Sequence, residues 1–316
     1  GRAPLRRTAT LLAAAALAVT TVAACSSDPV AESTGGETQQ ITHAMGTTTV
    51  PAHPKRVVVL DTDKVDTAIS LGVPLLGATQ PPEVDTFPAY LGELSSVQNV
   101  GEISEPDLEA IAALKPDLIL GSKFRQEKFY DELTAIAPTV FTERVGITWK
   151  ENFLLDGKAL GQEQKAKDLL NQYETRAKDL GKKIPDAANV KVSIVRFMPS
   201  EIRVYGPEGF SGIVVGDVGL GRPERQQLAN KDDKRFDKVS PERIADLDGD
   251  VMFVTAQGPT AEAQKKKIVD GNLWKELSAV KAGKAYDVPA EVWMTGIGVT
   301  AAGKILDDIE KNLRKS

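Results

Sequence analysis

Glu109-Ala-Ile-Ala-Ala-Leu-Lys-Pro-Asp117 and Glu242-Arg-Ile-Ala-Asp-Leu-Asp-Gly-Asp250 share the pattern E-x-I-A-x-L-x-x-D at an offset of 133 residues. Each copy opens on a helix-start signal, Pro106 in one and Ser240-Pro241 in the other, and each runs into an apolar strand, LIL at 118–120 and VMFV at 251–254. Flanking pieces repeat in the same order: VVVL at 57–60 with VSIV at 192–195, and Leu133-Thr-Ala-Ile136 with Leu277-Ser-Ala-Val280. The turn LGVPLLG at 71–77 matches VGLGRPE at 218–224 more loosely. Short apolar strands alternating with helical patterns make βαβ units, so the sequence predicts an α/β fold of two similar lobes with mainly parallel sheets, at 41–148 and 185–316. Between them, 149–184 carries apolar residues at helical spacing from Phe153 to Leu180, weakened by Gly157 and Gly161 and ended by Pro185, and reads as one long connecting helix. Ligands of parallel sheets bind beyond the carboxyl ends of the strands, which places a cleft between the lobes; a helical crossover predicts only a small closure of it.

Composition agrees with this plan and excludes others. The 316 residues, 41% hydrophobic and 26% charged, correspond to about two domains at roughly 150 residues each. Lys and Arg number 39 against 44 Asp and Glu, a net charge of -5, so no sequence-wide basic field exists to hold nucleic acid. One cysteine, Cys25, precludes an internal disulfide, and two histidines, His43 and His53, both near the amino terminus, leave no soft-ligand metal site. No G-x-S-x-G, H-E-x-x-H or G-K-[ST] motif occurs, and Gly216-Asp-Val-Gly-Leu-Gly221 has the wrong order for a dinucleotide fingerprint. The expectation is a binding protein and not an enzyme.

Arg2, Arg6 and Arg7 precede the apolar run Leu11–Ala18, which passes into small residues ending at Cys25. That order describes a secretory signal peptide over 1–24, and its threonines and length fall short of a membrane span. Val22-Ala-Ala-Cys25 resembles the lipobox of bacterial lipoproteins, in which the cysteine becomes the lipidated amino terminus. Two acyl chains on Cys25 would anchor the protein to the cell membrane, with 25–40 as a flexible polar tether. The expected location is extracytoplasmic, and loss of three arginines with 1–24 would bring the net charge to -8. Arg6-Arg7 also fits a twin-arginine signal, so the export route stays open.

The lipobox, the two lobes, the helical crossover and the duplicated motif together resemble the substrate-binding lipoproteins of ABC importers that have one connecting helix and bind ferric siderophores. PKRVVVL at 54–60, residues 115–141, SIVRF at 193–197, IRVYG at 202–206 and EVWMTGIG at 291–298 look like the hydroxamate branch, most of all the ferrioxamine binders. The resemblance implies capture of a ferric hydroxamate siderophore, with an ABC transporter permease as partner and a monomeric state. It also implies that Glu109 and Glu242, one on each lobe, pair with arginines of the permease. A negative charge at a helix start is equally explained by the helix dipole.

A ferric trihydroxamate already fills the metal's six positions, so the protein needs no cofactor and no metal ligand of its own. It must grip partly negative oxygens and an apolar chain, work for guanidinium donors and aromatic faces. Arg196 follows strand VSIV, Arg203 and Tyr205 share one face of the next segment, and Phe124 with Arg125 follow strand LIL. Trp149 and Trp293 stand outside obvious core periodicity and suit the ligand rim; Trp274 lies on a helical stripe with Leu277 and reads as core. Phe210 is a further candidate for the pocket wall. Haem, a corrinoid or a catecholate complex are alternative ligands, the last wanting a denser basic cluster than Arg125 and Arg196 supply. A surface sensor or adhesion module reusing the fold is the alternative of another class.

Overall fold

The structure, a computed structural model, describes residues 36–314. The signal peptide expected at 1–24 and the lipidation expected at Cys25 lie outside the described residues. The last residues of the tether expected over 25–40 belong to a strand. Thr38–His43 (β1) pairs antiparallel with Gly46–Pro51 (β2), with Ile41 and Val50 buried beneath otherwise polar strands. One buried apolar residue in each strand seats the hairpin, and a count of apolar residues does not register it.

The first sheet comprises Val57–Val59 (β3), Leu75–Gln80 (β4), Gln98–Glu102 (β5), Glu105–Pro106 (β6), Leu118–Ser122 (β7) and Thr139–Thr142 (β8). Its order is β6-β5-β4-β3-β7-β8, parallel throughout except at β6. The second sheet comprises Val192–Phe197 (β9), Ile202–Tyr205 (β10), Phe236–Val239 (β11), Val251–Ala256 (β12) and Ala285–Asp287 (β13), in the order β11-β10-β9-β12-β13. The duplication is visible in the pairing: Val57 sits beside Leu118 as Val192 sits beside Val251, each in a parallel ladder. The copies diverge after β9, which turns back through Met198–Glu201 into antiparallel β10 where the first lobe crosses over to a parallel β4.

Strand residues are apolar on both faces because both faces are covered. Val58, Leu60 and Ile119 point to an outer core with Ile111 and Leu133, whereas Val57, Val59, Leu118 and Leu120 point inward. In the second sheet Val195, Phe197, Met252 and Val254 pack outward around Trp274, and Val192, Ile194, Val251 and Phe253 inward. The two inward faces join one continuous core through the connecting helices and the carboxyl-terminal helix Val299–Leu313.

The connection is two helices, Trp149–Ala159 and Glu163–Lys182, and not the single helix expected over 149–184. Gly161 breaks it at φ 72°, where a Cβ would stand 2.3 Å from the Ala52 carbonyl oxygen, so only glycine fits both the backbone and the space. The lobes meet again along the helix Thr62–Ser70, whose N-cap is Asp61. Its Asp66 is buried and accepts from the amides of Thr300 (3.1 Å) and Ala301 (2.9 Å) at the start of Val299–Leu313, and from the Tyr90 hydroxyl (2.7 Å). Ser70 bonds Thr300 at 2.6 Å, and the Thr62 hydroxyl donates to the Thr295 carbonyl.

Candidate functional site

A cleft of about 480 Å³ opens between the lobes. Its first wall is made of the residues that follow the parallel strands: Asp61 and Thr62 after β3, Pro81 and Pro82 after β4, Ile103 and Ser104 after β5, Phe124 and Arg125 after β7, Val145 and Gly146 after β8. The opposite wall comes from the antiparallel strands β9, β10 and β11 and from the loop before the carboxyl-terminal helix. These supply Arg196, Met198, Arg203, Tyr205, Arg235 and Phe236, then Met294, Thr295 and Ile297. Strand order therefore brings residues far apart in sequence to one place.

Four guanidinium groups line this cleft: Arg125, Arg196, Arg203 and Arg235. Arg196 and Arg203 are directly opposite each other in the β9–β10 ladder, a like-charge pairing that weakens a sheet. Tyr205 lies between them, its hydroxyl oxygen accepting from Arg196 Nη1 (3.1 Å) and Arg203 Nη1 (3.4 Å), which leaves the hydroxyl proton to donate elsewhere. Glu201 holds Arg203 through Nε at 2.6 Å, Asp233 holds Arg235 at 2.9 and 2.8 Å, and Asp61 holds Arg125 at 3.2 Å. Among the described residues Arg196 has no carboxylate partner. Aromatic faces flank the cations. The Arg203 guanidinium carbon stands 3.9 Å from the Phe236 ring centre, and Arg235 stands 5.6 Å from Phe236 and 5.7 Å from Phe124 of the other lobe. Phe124 is 53% exposed at the mouth of the cleft, one of two exposed large apolar side chains among the described residues, the other being Leu273.

Charged residues also lie beneath the two walls. Under β9 and β10, Arg222 donates to the carbonyls of Val192 (2.7 Å) and Tyr205, and burial pushes its pKa down to about 10. Under the first wall, Lys64 is fully buried between Asp156 (2.7 Å) and Asp63 (3.5 Å). Burial pushes the Asp63 carboxyl up to about 7, against the pull of Lys64. Asp63 Oδ1 and Asp156 Oδ1 have no hydrogen-bond partner. Among the described residues no group of three His, Cys, Asp or Glu stands placed to hold a metal ion.

Of the residues singled out from sequence, the structure brings Arg125, Phe124, Arg196, Arg203, Tyr205 and Phe210 to the cleft. Trp149 and Trp293 are not there. Trp149 begins its helix facing Tyr173 (5.2 Å) and Phe210 (5.4 Å), and Trp293 stacks on Phe253 (4.4 Å) with its indole N–H on Asp308 (2.8 Å), so both fill the shared inner core. A core shared by two lobes needs large side chains at irregular positions, which helical or strand periodicity within one lobe does not reveal. Trp274 is buried against Phe197, as expected. Glu109 is exposed in the first turn of Leu108–Ala113, and Glu242 is exposed at the start of the 3₁₀ segment Pro241–Leu247. His43 belongs to β1 and accepts from the Phe141 amide (3.0 Å), a structural role. Sequence reasoning missed Arg235 and Phe236; the adjoining Arg-Phe at the start of a strand was the available signal, but only the β10–β11 pairing of Tyr205 with Phe236 places them.

Comparison with known proteins adds four findings. A family model described as periplasmic binding protein matches residues 57–292. A Bacillus subtilis protein named as a probable siderophore-binding lipoprotein is 40% identical over 312 residues, 95% of this chain and 96% of its own. Also in Bacillus subtilis, a protein named as Fe(3+)-citrate-binding is 30% identical over 275 residues, 85% of this chain and 84% of its own. Among solved structures, Staphylococcus aureus SirA complexed with staphyloferrin B superposes with a TM-score of 0.76 at 34% identity, covering 87% of this chain and 98% of that one.

Proposed function

The chain belongs to the periplasmic binding protein family, and from that premise we propose that its interlobe cleft captures a ferric siderophore carrying net negative charge and presents it to an ABC permease. It is a siderophore-binding component of an iron importer and not an enzyme. The observation that carries the anionic ligand is the Arg196–Arg203 pair facing one another across β9 and β10, with Arg196 free of any carboxylate among the described residues. Such a pair costs stability in the empty protein and is relieved by an anion bound between the guanidinium groups. The relative named for ferric citrate and the relative structure holding staphyloferrin B support a ligand of this kind. The iron arrives enclosed by the siderophore, so the protein contributes donors to its outer oxygens only.

The ferrioxamine-like hydroxamate expected from sequence is the second reading. Phe124, Phe236, Met198 and Met294 favour it, because they offer apolar surface to a methylene chain. Calorimetric titration with ferric citrate, ferrioxamine B and ferric enterobactin separates the readings. Tighter binding of an anionic complex, weakened about 10- to 100-fold in Arg196→Ala as for loss of a charge-assisted hydrogen bond, supports the first. Preference for ferrioxamine B with no effect of Arg196→Ala overturns it. We place the lipid on Cys25, in line with the lipoprotein relative, and the permease contacts on exposed Glu109 and Glu242. The protein acts as a monomer in this reading.

A further inference from the structure

The β3-to-β8 wall of the cleft carries one guanidinium, Arg125, and its setting is fixed from several directions. Ser122 at the end of β7 accepts from the Arg125 amide (3.1 Å). The buried Gln126 side chain donates to the carbonyls of Leu60 and Ile103, both at 2.9 Å, and accepts from the Ser122 amide at 3.0 Å. The turn bearing Arg125 is thereby tied to the ends of β3 and β5 as well as β7. From this turn the Arg125 Nε donates to Asp61 Oδ2 at 3.2 Å, while Asp61 Oδ1 accepts from the Thr62 amide at 2.7 Å and caps the Thr62–Ser70 helix. The carboxylate side chain is 1% exposed and the arginine side chain 39%.

A guanidinium bound through Nε keeps the four N–H bonds of its two Nη atoms, the edge that forks onto a carboxylate. We propose that Asp61 is a positioning residue that sets specificity: it holds Arg125 by its Nε edge so that the Nη edge selects siderophores presenting a free carboxylate over those presenting neutral oxygens. The inference deepens the anionic-ligand reading and rests on it. Asp61 touches no ligand in this scheme and acts through Arg125 alone.

The test is a double-mutant cycle on the intact protein, with Asp61→Asn, Arg125→Ala and their combination, read as dissociation rates for ferric citrate and ferrioxamine B. Asparagine keeps the helix cap, and Arg125→Lys, which leaves Asp61 and its cap untouched, covers the case in which Asp61→Asn does not fold. Asp61→Asn should raise the ferric citrate off-rate about tenfold, the equivalent of one oriented charge-assisted bond. It should leave ferrioxamine B unchanged and add nothing in the Arg125→Ala background. Arg125→Lys, with the charge but without the fork, should lose as much as Arg125→Ala. An Asp61→Asn effect that persists without Arg125, equal effects on both ligands, or full retention of ferric citrate by Arg125→Lys overturns the proposal while leaving the anionic reading intact. A wild-type protein that binds ferrioxamine B and not ferric citrate overturns both.

Discussion

Replacing Lys64 by methionine removes the only cation from a fully buried group of three charges. Lys64 Nζ lies 2.7 Å from Asp156 and 3.5 Å from Asp63, and each carboxylate already has one oxygen with no hydrogen-bond partner. Breaking a buried ion pair from one side costs about 3–5 kcal/mol, and here two carboxylates are stranded at once, so Lys64→Met should fall near 5 kcal/mol at pH 8. Asp156→Asn is the control. It keeps an acceptor for Lys64 and keeps the Lys64–Asp63 pair, and should cost about 1.5–3 kcal/mol, the net value of a hydrogen bond to a charged group. In the Lys64→Met protein both carboxyls have folded-state pKa values raised above their unfolded values, so the folded state binds the extra protons. Stability then falls as pH rises from about 4, and the deficit should be smaller at pH 5 than at pH 8. Urea denaturation followed by tryptophan emission, compared at equal slope, measures these differences. A Lys64→Met cost no larger than that of Asp156→Asn, or one independent of pH, would refute the assignment of Lys64 as the neutralising charge of this group.

Other perturbations have equally definite outcomes. Gly161→Ala should lower the melting temperature, because its Cβ would meet the Ala52 carbonyl at φ 72°, whereas Gly216→Ala, with nothing within 4 Å of the new Cβ, should gain about 0.5–1 kcal/mol in its helix. Burial holds the His43 pKa below its ordinary value while Nδ1 accepts from the Phe141 amide; the folded state therefore resists protonation, and stability should be lost as pH falls through and below about 6.5. His43→Asn, which keeps an acceptor, should remove that part of the slope in thermal melts between pH 7 and pH 5. Glu109→Ala with Glu242→Ala should abolish iron uptake in cells with ligand affinity unchanged in calorimetry; weakened binding in the purified protein would remove their docking role.

The α/β class, the duplicated strand–helix–strand frame and most of the arginine wall were legible because they depend on local patterns: apolar runs, helix-start residues and alternation along a strand. Arg203 and Tyr205 follow from period two alone, and both reach the cleft. What was illegible depends on pairing between distant segments. The β9–β10 hairpin, which sets Arg196 against Arg203, and the β10–β11 ladder, which delivers Arg235 and Phe236, leave no mark within either strand. The two tryptophans were assigned to the ligand because their surroundings, a core common to both lobes, come from helices more than 100 residues apart, Trp149–Ala159 and Val299–Leu313. Gly161 was visible as a weakness in a helix; that it ends one helix and permits another required the Ala52 carbonyl beside it.

Asp66 and the amide of Ala301 are 235 positions apart. In chain order the Thr62–Ser70 helix precedes its partner, Val299–Leu313, by all the strands from β4 to β13. Until residues 299–301 are available, the Asp66 carboxylate lacks the amides that neutralise it, and the buried face of its helix stays wet. The first lobe is therefore incomplete until the second supplies that helix. Completing the first lobe thus depends on the second, and the folding rate should carry the delay that such long-range closure imposes.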